Sequence, residues 1–504
     1  MRGVALDRRF KWMGGLVVAL LAAVGCSSGT PHPDEAVDTP TTTSSSVSTV
    51  SPTSAATPLA STTTVATEPL TTGFFAPLAP ADGERPEFAR YPNAGALADP
   101  TFYPIAVWWQ YPWQAAAYGE MGVNTYIWPD TEGFMCSADT RARCLEGIVD
   151  AGMQLVVVRD SFTTAPAIES SVIAWFTCDE PDIIEFSRKN CGGAGVTYDD
   201  VIVDLAVADP TRPIYTNFSD GLARPELDTD AERFSLAWLD GLWDQSNPVD
   251  DPDPGPAESR DDFLDRLLPT WCEASGLKST DAYWFSSDSR QGPIWYYGRN
   301  ITTAKERCGP DHPIMNAVET AAQGTSGTGT PVDPSPGDVV AMVYSSVAAG
   351  ADGILYFPQR TDNGGSVRGG STFLSNPHWF DAAPEITDPG MYDTLRAANE
   401  TLGFLAPVLN SGPVDTSELG LGDERGVVDV LVRQHGGEVF LVSIPRQGPA
   451  TLDIDLSPLG IDGAVVHVVT GLGSDEREMV ITEGRLADDL AALTPSIYRV
   501  VPSS

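Results

Sequence analysis

The sequence predicts an α/β fold, a closed (β/α)8 TIM barrel followed by a small C-terminal antiparallel β-sandwich. Three observations carry this expectation. Between residues 105 and 357, short apolar or aromatic runs alternate with segments of helical spacing, the pattern of a parallel sheet with crossover helices. Eight such runs can be counted, which favours closure into a barrel over an open sheet. Beyond Ser411 the helical spacing stops, and short strand-like runs separated by turn residues take over.

The chain ahead of the barrel has a different character. Arg8, Arg9 and Lys11 precede an apolar run over 13–24, the charged and apolar regions of an export signal, and the run is short for a membrane span. It ends in Ala23-Val24-Gly25-Cys26, which resembles the lipobox of bacterial lipoproteins. That resemblance implies a signal peptide over 1–25, a lipid on Cys26 and a protein held on the extracytoplasmic face of the cell membrane. Residues 26–73 are mostly Ser, Thr, Pro and Ala, with too few large apolar residues to form a core, and read as a disordered tether. The barrel is then expected over 74–410 and the sandwich over 411–504.

Charge and cysteine usage exclude several function classes. A formal net charge of -39 would repel a phosphate polymer, so no nucleic-acid partner is expected. Setting Cys26 aside, the six remaining cysteines suit disulfides in an exported protein, and proximity suggests Cys136 with Cys144, Cys178 with Cys191, and Cys272 with Cys308. They lack zinc-site spacing, and histidine is scarce, so no metal is expected. The Asp- and Pro-rich segment 247–257 lacks the ligand spacing of a calcium loop and reads as an exposed connection. No Gly-x-Gly-x-x-Gly opens the first unit, and no cofactor is implied. A Gly-x-Ser-x-Gly elbow is also missing, which leaves a serine hydrolase without support.

The strands are expected at 105–109, 123–128, 153–158, 172–178, 213–218, 282–285, 314–318 and 353–357. Helices are expected at 113–121, 141–151, 198–208, 260–273, 338–350 and 391–409. In the fifth of these Asp338 can cap, and Val339, Met342, Val343 and Val347 then share one face. The sandwich strands are expected at 427–432, 439–444, 451–456, 464–469 and 497–501.

The chemistry is expected where the fourth run, Val-Ile-Ala-Trp-Phe-Thr-Cys from Val172, ends in Asp179-Glu180-Pro181. An unbroken apolar run is how a strand buried on both faces reads, and the proline stops it at the C-terminal tip, the active-site end of such a barrel. The seventh run likewise ends in Glu319. At these two positions the chain resembles the clan A glycoside hydrolases, whose barrels carry an acid/base glutamate after strand four, commonly in Asn-Glu-Pro, and a nucleophilic glutamate at the end of strand seven. The resemblance implies a retaining glycosidase on an extracellular or cell-wall glycan, with Glu180 as acid/base and Glu319 as nucleophile.

Asp179 departs from the family's asparagine. As an acceptor it can take a hydrogen bond from a sugar hydroxyl, but it cannot donate one as the amide would. Trp108, Trp284 and Tyr356 are candidate stacking platforms for the C-H faces of a sugar, and Asn217 is a candidate hydroxyl-binding side chain. A surface glycan-binding lipoprotein on a barrel that has lost hydrolysis is the alternative reading, because a fold alone does not establish activity.

Overall fold

The computed structural model describes residues 73–81, 83, 85–128, 136, 139–159, 166–184, 191, 196–219, 222, 260–281, 283, 293–322, 333–359, 361–362, 365–366, 371–375, 383–414, 416, 419, 427–471 and 475–502. The export signal, Cys26, the tether up to residue 72, the segment 247–257 and Trp284 lie outside them.

Eight parallel strands close a barrel in chain order: β1 Ile105–Trp108, β2 Thr125–Trp128, β3 Gln154–Val158, β4 Val172–Asp179, β5 Ile214–Phe218, β6 Leu277–Thr280, β7 Ile314–Glu319 and β8 Gly353–Phe357. Between and after them run α1 Ala115–Glu120, α2 Arg141–Asp150, α3 Pro166–Glu169, α4 Pro181–Ile184, α5 Tyr198–Ala208, α6 Arg260–Ala274, α7 Tyr296–Cys308, α8 Pro336–Ala348 and α9 Pro389–Leu409. Seven strands fall where the sequence places them, to within two residues. The sixth does not. It is Leu277–Thr280 rather than 282–285, because a strand reading Leu-Lys-Ser-Thr carries too little apolar signal to be seen.

Alternation along each strand sorts the core into two layers. Ala106, Ile127, Val156, Phe176, Tyr215, Leu277, Met315, Ala317 and Leu355 fill the barrel interior. Ile105, Val107, Tyr126, Leu155, Val157, Val318, Ile354 and Tyr356 turn outward against the helices. β4 breaks the alternation twice. Its register against β3 shifts between Leu155 and Val156, and against β5 between Phe176 and Asp179. In the second shift three steps on β4 match two on β5, so the inward positions Phe176 and Asp179 stand beside Tyr215 and Asn217. Strict alternation would have turned Asp179 outward; the bulge re-aims it into the barrel.

Local signals set the helix starts. Thr197 and Asp200 form a reciprocal capping box on α5. On α8 the cap is Ser335, with Pro336 following and Asp338 closing the box from the third position, so Asp338 is the box's acid rather than the cap.

After the barrel come seven antiparallel strands: β9 Val428–His435, β10 Glu438–Pro445, β11 Ala450–Asp455, β12 Val465–Thr470, β13 Asp475–Val480, β14 Arg485–Leu490 and β15 Ser496–Val501. Five form a sheet in the order β9-β10-β15-β12-β13, and β11 pairs with β14, the two groups enclosing a shared apolar core. β13 and β14, Asp-Glu-Arg-Glu-Met-Val and Arg-Leu-Ala-Asp-Asp-Leu, are too charged to be predicted from sequence. The three disulfides join Cys136 to Cys144, Cys178 to Cys191 and Cys272 to Cys308, the pairs nearest in sequence. Among the described residues no helix is long and apolar enough to cross a membrane.

Candidate active site

The C-terminal mouth of the barrel gathers carboxyl groups from three strand ends. Asp179 is the last residue of β4, Asp281 directly follows β6, and Glu319 is the last residue of β7. Asp179 and Glu319 share the inward parity of the residues two or three positions before them, Phe176 and Ala317. Asp281 follows inward Leu277 and Ser279 in the same way, and its backbone N–H donates to the Phe218 carbonyl, extending the β5–β6 ladder by one step.

Glu180 sits one residue beyond Asp179 with φ 49°, in the left-handed region that a non-glycine residue enters at a cost of roughly 1–3 kcal/mol. Its N–H donates to the Asn217 carbonyl at 2.8 Å, which pins the kink, and Pro181 then starts α4. Trp109, just past β1, has a similar φ of 43°, and its carbonyl accepts from the buried Gln359 at 2.9 Å. Both kinks stand at the mouth, where strained residues commonly mark function.

Asn217, the inward residue near the end of β5, ties the carboxyl groups together. One side-chain nitrogen donates to Asp179 Oδ1 at 2.8 Å and to Asp281 Oδ2 at 2.8 Å. The two carboxylate oxygens are therefore at most twice that distance apart. Burial pushes the Asp179 carboxyl up to about 6; the Asn217 hydrogen bond opposes the rise, and the charge of Asp182 adds to it. Asp182 is itself buried, accepting from the backbone N–H and hydroxyl of Ser219.

Glu319 is fully buried, and the hydroxyl of Tyr297, in the first turn of α7, donates to its Oε1. Tyr283, two residues beyond Asp281, senses the same charges. Burial raises its phenol well above the ordinary value, and the negative charges of Asp281, Glu180, Asp179 and Glu319 raise it further. Four carboxyl groups thus lie within electrostatic reach of one hydroxyl. The Tyr283 ring packs on Phe357, the inward end of β8, at 5.1 Å between centroids.

The sequence-predicted residues divide. Asp179, Glu180 and Asn217 are joined by hydrogen bonds, and Glu319 stands at the end of β7 on the same mouth of the barrel. Trp108 lies inside the barrel, 4% exposed, with its ring on Phe176. Tyr356 is not at the mouth: it has the outward parity of β8, is fully buried and donates to Asn399 Oδ1 of α9 at 2.8 Å, so the pleat gives the aromatic position at the mouth to Phe357. Asn217 also differs from its expected role, since its N–H group serves the two carboxyl groups and its carbonyl oxygen accepts from Ser279. Asp281, Tyr283 and Tyr297 were missed. Only a correct placement of β6 would have brought the first two to notice. Among the described residues no group of three or more His, Cys, Asp or Glu is arranged to hold a metal ion.

No protein-family model matches the chain, and no curated protein matches it. Solved structures do. A GH30 endoxylanase from Clostridium papyrosolvens is 9% identical over 79% of this chain and 96% of its own, with a TM-score of 0.34. A GH27 β-L-arabinopyranosidase from Geobacillus stearothermophilus is 11% identical over 83% of this chain and 99% of its own, at 0.40. A protein described as a putative α-N-acetylgalactosaminidase from Bacillus halodurans is 10% identical over 80% and 97%, at 0.39. These likenesses are too distant to carry a functional argument, which rests on the site itself.

Proposed function

We propose that this protein is a glycoside hydrolase of the retaining type, acting on an extracellular or cell-wall glycan from a lipid anchor at Cys26. The observation that carries the reading is the placement of Asp179, Asp281 and Glu319 at strand ends on the active-site end of a closed barrel, with Glu180 next to the first and Asn217 bonded to the first two. Carboxyl groups are what glycosidic cleavage needs. One protonates the leaving oxygen, while a second, about 5 to 5.5 Å away, attacks the anomeric carbon; the first then takes a proton from the water that releases the glycosyl group.

In this reading Glu180 is the acid/base and Glu319 the nucleophile. The Tyr297 hydroxyl fixes the orientation of the Glu319 carboxylate, as attack along one direction requires. Tyr283 and Phe357 offer aromatic surface beside the carboxyl groups, suited to the C-H face of a sugar.

The test is hydrolysis of aryl glycosides and cell-wall polysaccharides by the wild-type chain and by Glu180→Gln and Glu319→Gln. Each substitution is expected to lower turnover by about 10²-fold or more at unchanged melting temperature. The first product seen by proton NMR is expected to keep the anomeric configuration of the substrate. Wild-type turnover in either variant would remove that residue from the mechanism, and an inverted product would remove the covalent step. Sugar binding without hydrolysis by the wild-type chain would point instead to a glycan-binding protein.

A further inference from the structure

The amide that joins Asp179 to Asp281 is itself held from below. Ser279, the inward residue of β6 one layer beneath Asp281, donates its hydroxyl to Asn217 Oδ1, and its oxygen is in turn bonded to the hydroxyl of Tyr215, the inward residue of β5. The direction of this chain is fixed. The Ser279 proton goes to an atom that can only accept, so the Tyr215 hydroxyl must be the donor to Ser279. Tyr215 and Ser279 are fully buried and Asn217 is 2% exposed. An amide flipped by a half turn could still donate to the Ser279 hydroxyl, but it would set its oxygen against two carboxylate groups and lose both of those bonds.

We propose that Tyr215, Ser279 and Asn217 form a positioning relay that orients the Asn217 N–H group toward both carboxyl groups and so holds Asp179 and Asp281 as a working pair beside Glu180 and Glu319. The proposal rests on the glycosidase reading for what the pair does, though not for the relay itself. Ser279 and Tyr215 touch no reacting atom and act through Asn217. Asp281 enters the site as the second group gripped by the same amide. Of the charged and titratable groups around Asp179, Glu180 and Asp182 lie on its own strand end and the helix that follows, Asp281 and Tyr283 after β6, and Glu319 on β7.

The experiment is a cycle of Ser279→Ala, the pair Asp179→Asn with Asp281→Asn, and all three together in the full chain, with Ser279→Thr as the conservative rescue. Two readouts are followed: stability against pH by urea unfolding, and the pH profile of turnover on the aryl glycoside hydrolysed best. The Asn217 hydrogen bond holds the Asp179 carboxyl down, so loosening the amide should raise its proton affinity further. Ser279→Ala should carry the fall of stability with rising pH to higher pH than in wild type, move the corresponding limb of the turnover profile the same way, and lower kcat by about 10-fold or more with little change in KM. Ser279→Thr should restore both profiles. With both carboxyl groups replaced, in the Asp179→Asn, Asp281→Asn background, Ser279→Ala should shift stability equally at every pH.

Unchanged pH profiles in Ser279→Ala overturn the relay, even if stability falls, because a purely structural serine would give that result. A pH effect of Ser279→Ala that persists with both carboxyl groups removed also overturns it. If the stability profile shifts as described while no glycoside is turned over, the relay stands and the glycosidase reading falls.

Discussion

Asp179 is a carboxyl group taken out of water inside a barrel, and burial raises its proton affinity until it titrates at about 6. The consequence for stability has a definite sign. Below about pH 4 the folded and unfolded chains both hold the proton. Between about 4 and 6 the folded chain holds it and the unfolded chain does not, so stability falls as pH rises through that window. Above it the full cost is present, on the order of 3 kcal/mol. Asp179→Asn keeps the shape, an acceptor oxygen for Asn217 and no titratable proton. It is expected to be more stable than wild type at pH 7 by about 1–3 kcal/mol and to lose that advantage as pH falls toward 4, measured from urea midpoints. A variant that parallels wild type across the range would mean that the carboxyl titrates as it does in water. The same substitution should damage function, the usual trade at a site whose buried groups are kept for chemistry rather than stability.

The elements show why part of this site was legible in the sequence and part was not. β4 and β7 are mostly apolar and carry no charge before their last residues, so their terminal carboxylates stand out as interruptions. β6 gives no such contrast. Its inward residues are Leu277 and Ser279, the serine being bound into the polar chain under the mouth, and its neighbour Lys278 is buried, its ammonium donating to the Ser275 carbonyl. Burial pulls that ammonium down to about 7, so it sits in the interior with much of its charge given up. Nothing in Leu-Lys-Ser-Thr announces a core strand, and a sixth strand expected at 282–285 leaves Asp281 ahead of the strand rather than just past its C-terminal tip. Parity was hidden too. The bulges of β4 decide which way Asp179 faces, yet a bulge depends on the partner strand and leaves no periodic trace in its own sequence.

That bulged strand is braced by the disulfide from Cys178 to Cys191, which closes a loop with a sequence separation of 13. On chain entropy alone such a loop contributes about 3 kcal/mol. Replacing both cysteines with serine is expected to lower stability by about 2–3 kcal/mol in urea, and reduction of the wild-type chain, which opens all three disulfides, should cost at least as much. Because Cys178 immediately precedes Asp179, turnover at a temperature where the variant stays folded should also fall. Unaltered urea midpoints would show that the bulge is held by its ladder alone.

At the scale of the whole molecule, barrel and β-domain are joined through one apolar core. Every residue of α8 from Val339 to Ala348 is buried, which a helix on a barrel surface achieves only if something covers its outer face. Phe440, Val442 and Ile444 of β10, with Val469 and Ile497, belong to the same core cluster as that helix and the outward residues of the barrel. Polar contacts register the two parts. Asp429 of β9 accepts from Ser345 of α8 and is paired with Arg446, whose guanidinium lies over the Trp295 ring beside α7. Gly298 of α7 lets the helices approach, since a Cβ there would lie 2.7 Å from Ser345 Oγ and 2.8 Å from its carbonyl oxygen. The segment around Phe74 closes the seam from the other side: the Phe74 ring packs near Phe404 of α9, and its carbonyl accepts from Arg499 of β15 at 3.0 Å.

An interface of this kind should make unfolding a single event even though the chain has two architectures. Val442→Asp places a charge in the middle of it. The expected cost is about 3 kcal/mol or more, because the carboxylate would be buried among apolar side chains. The decisive measurement is whether tryptophan fluorescence, whose 12 reporters all precede Ser411, and hydrogen exchange at the amides of β9 to β15 report one lowered midpoint. If the barrel signal keeps its wild-type midpoint while the strands melt early, the β-domain is an appendage. If both move together, the β-domain is part of what holds α7 and α8 in place, and through Tyr297 at the start of α7 its packing reaches the carboxylate of Glu319.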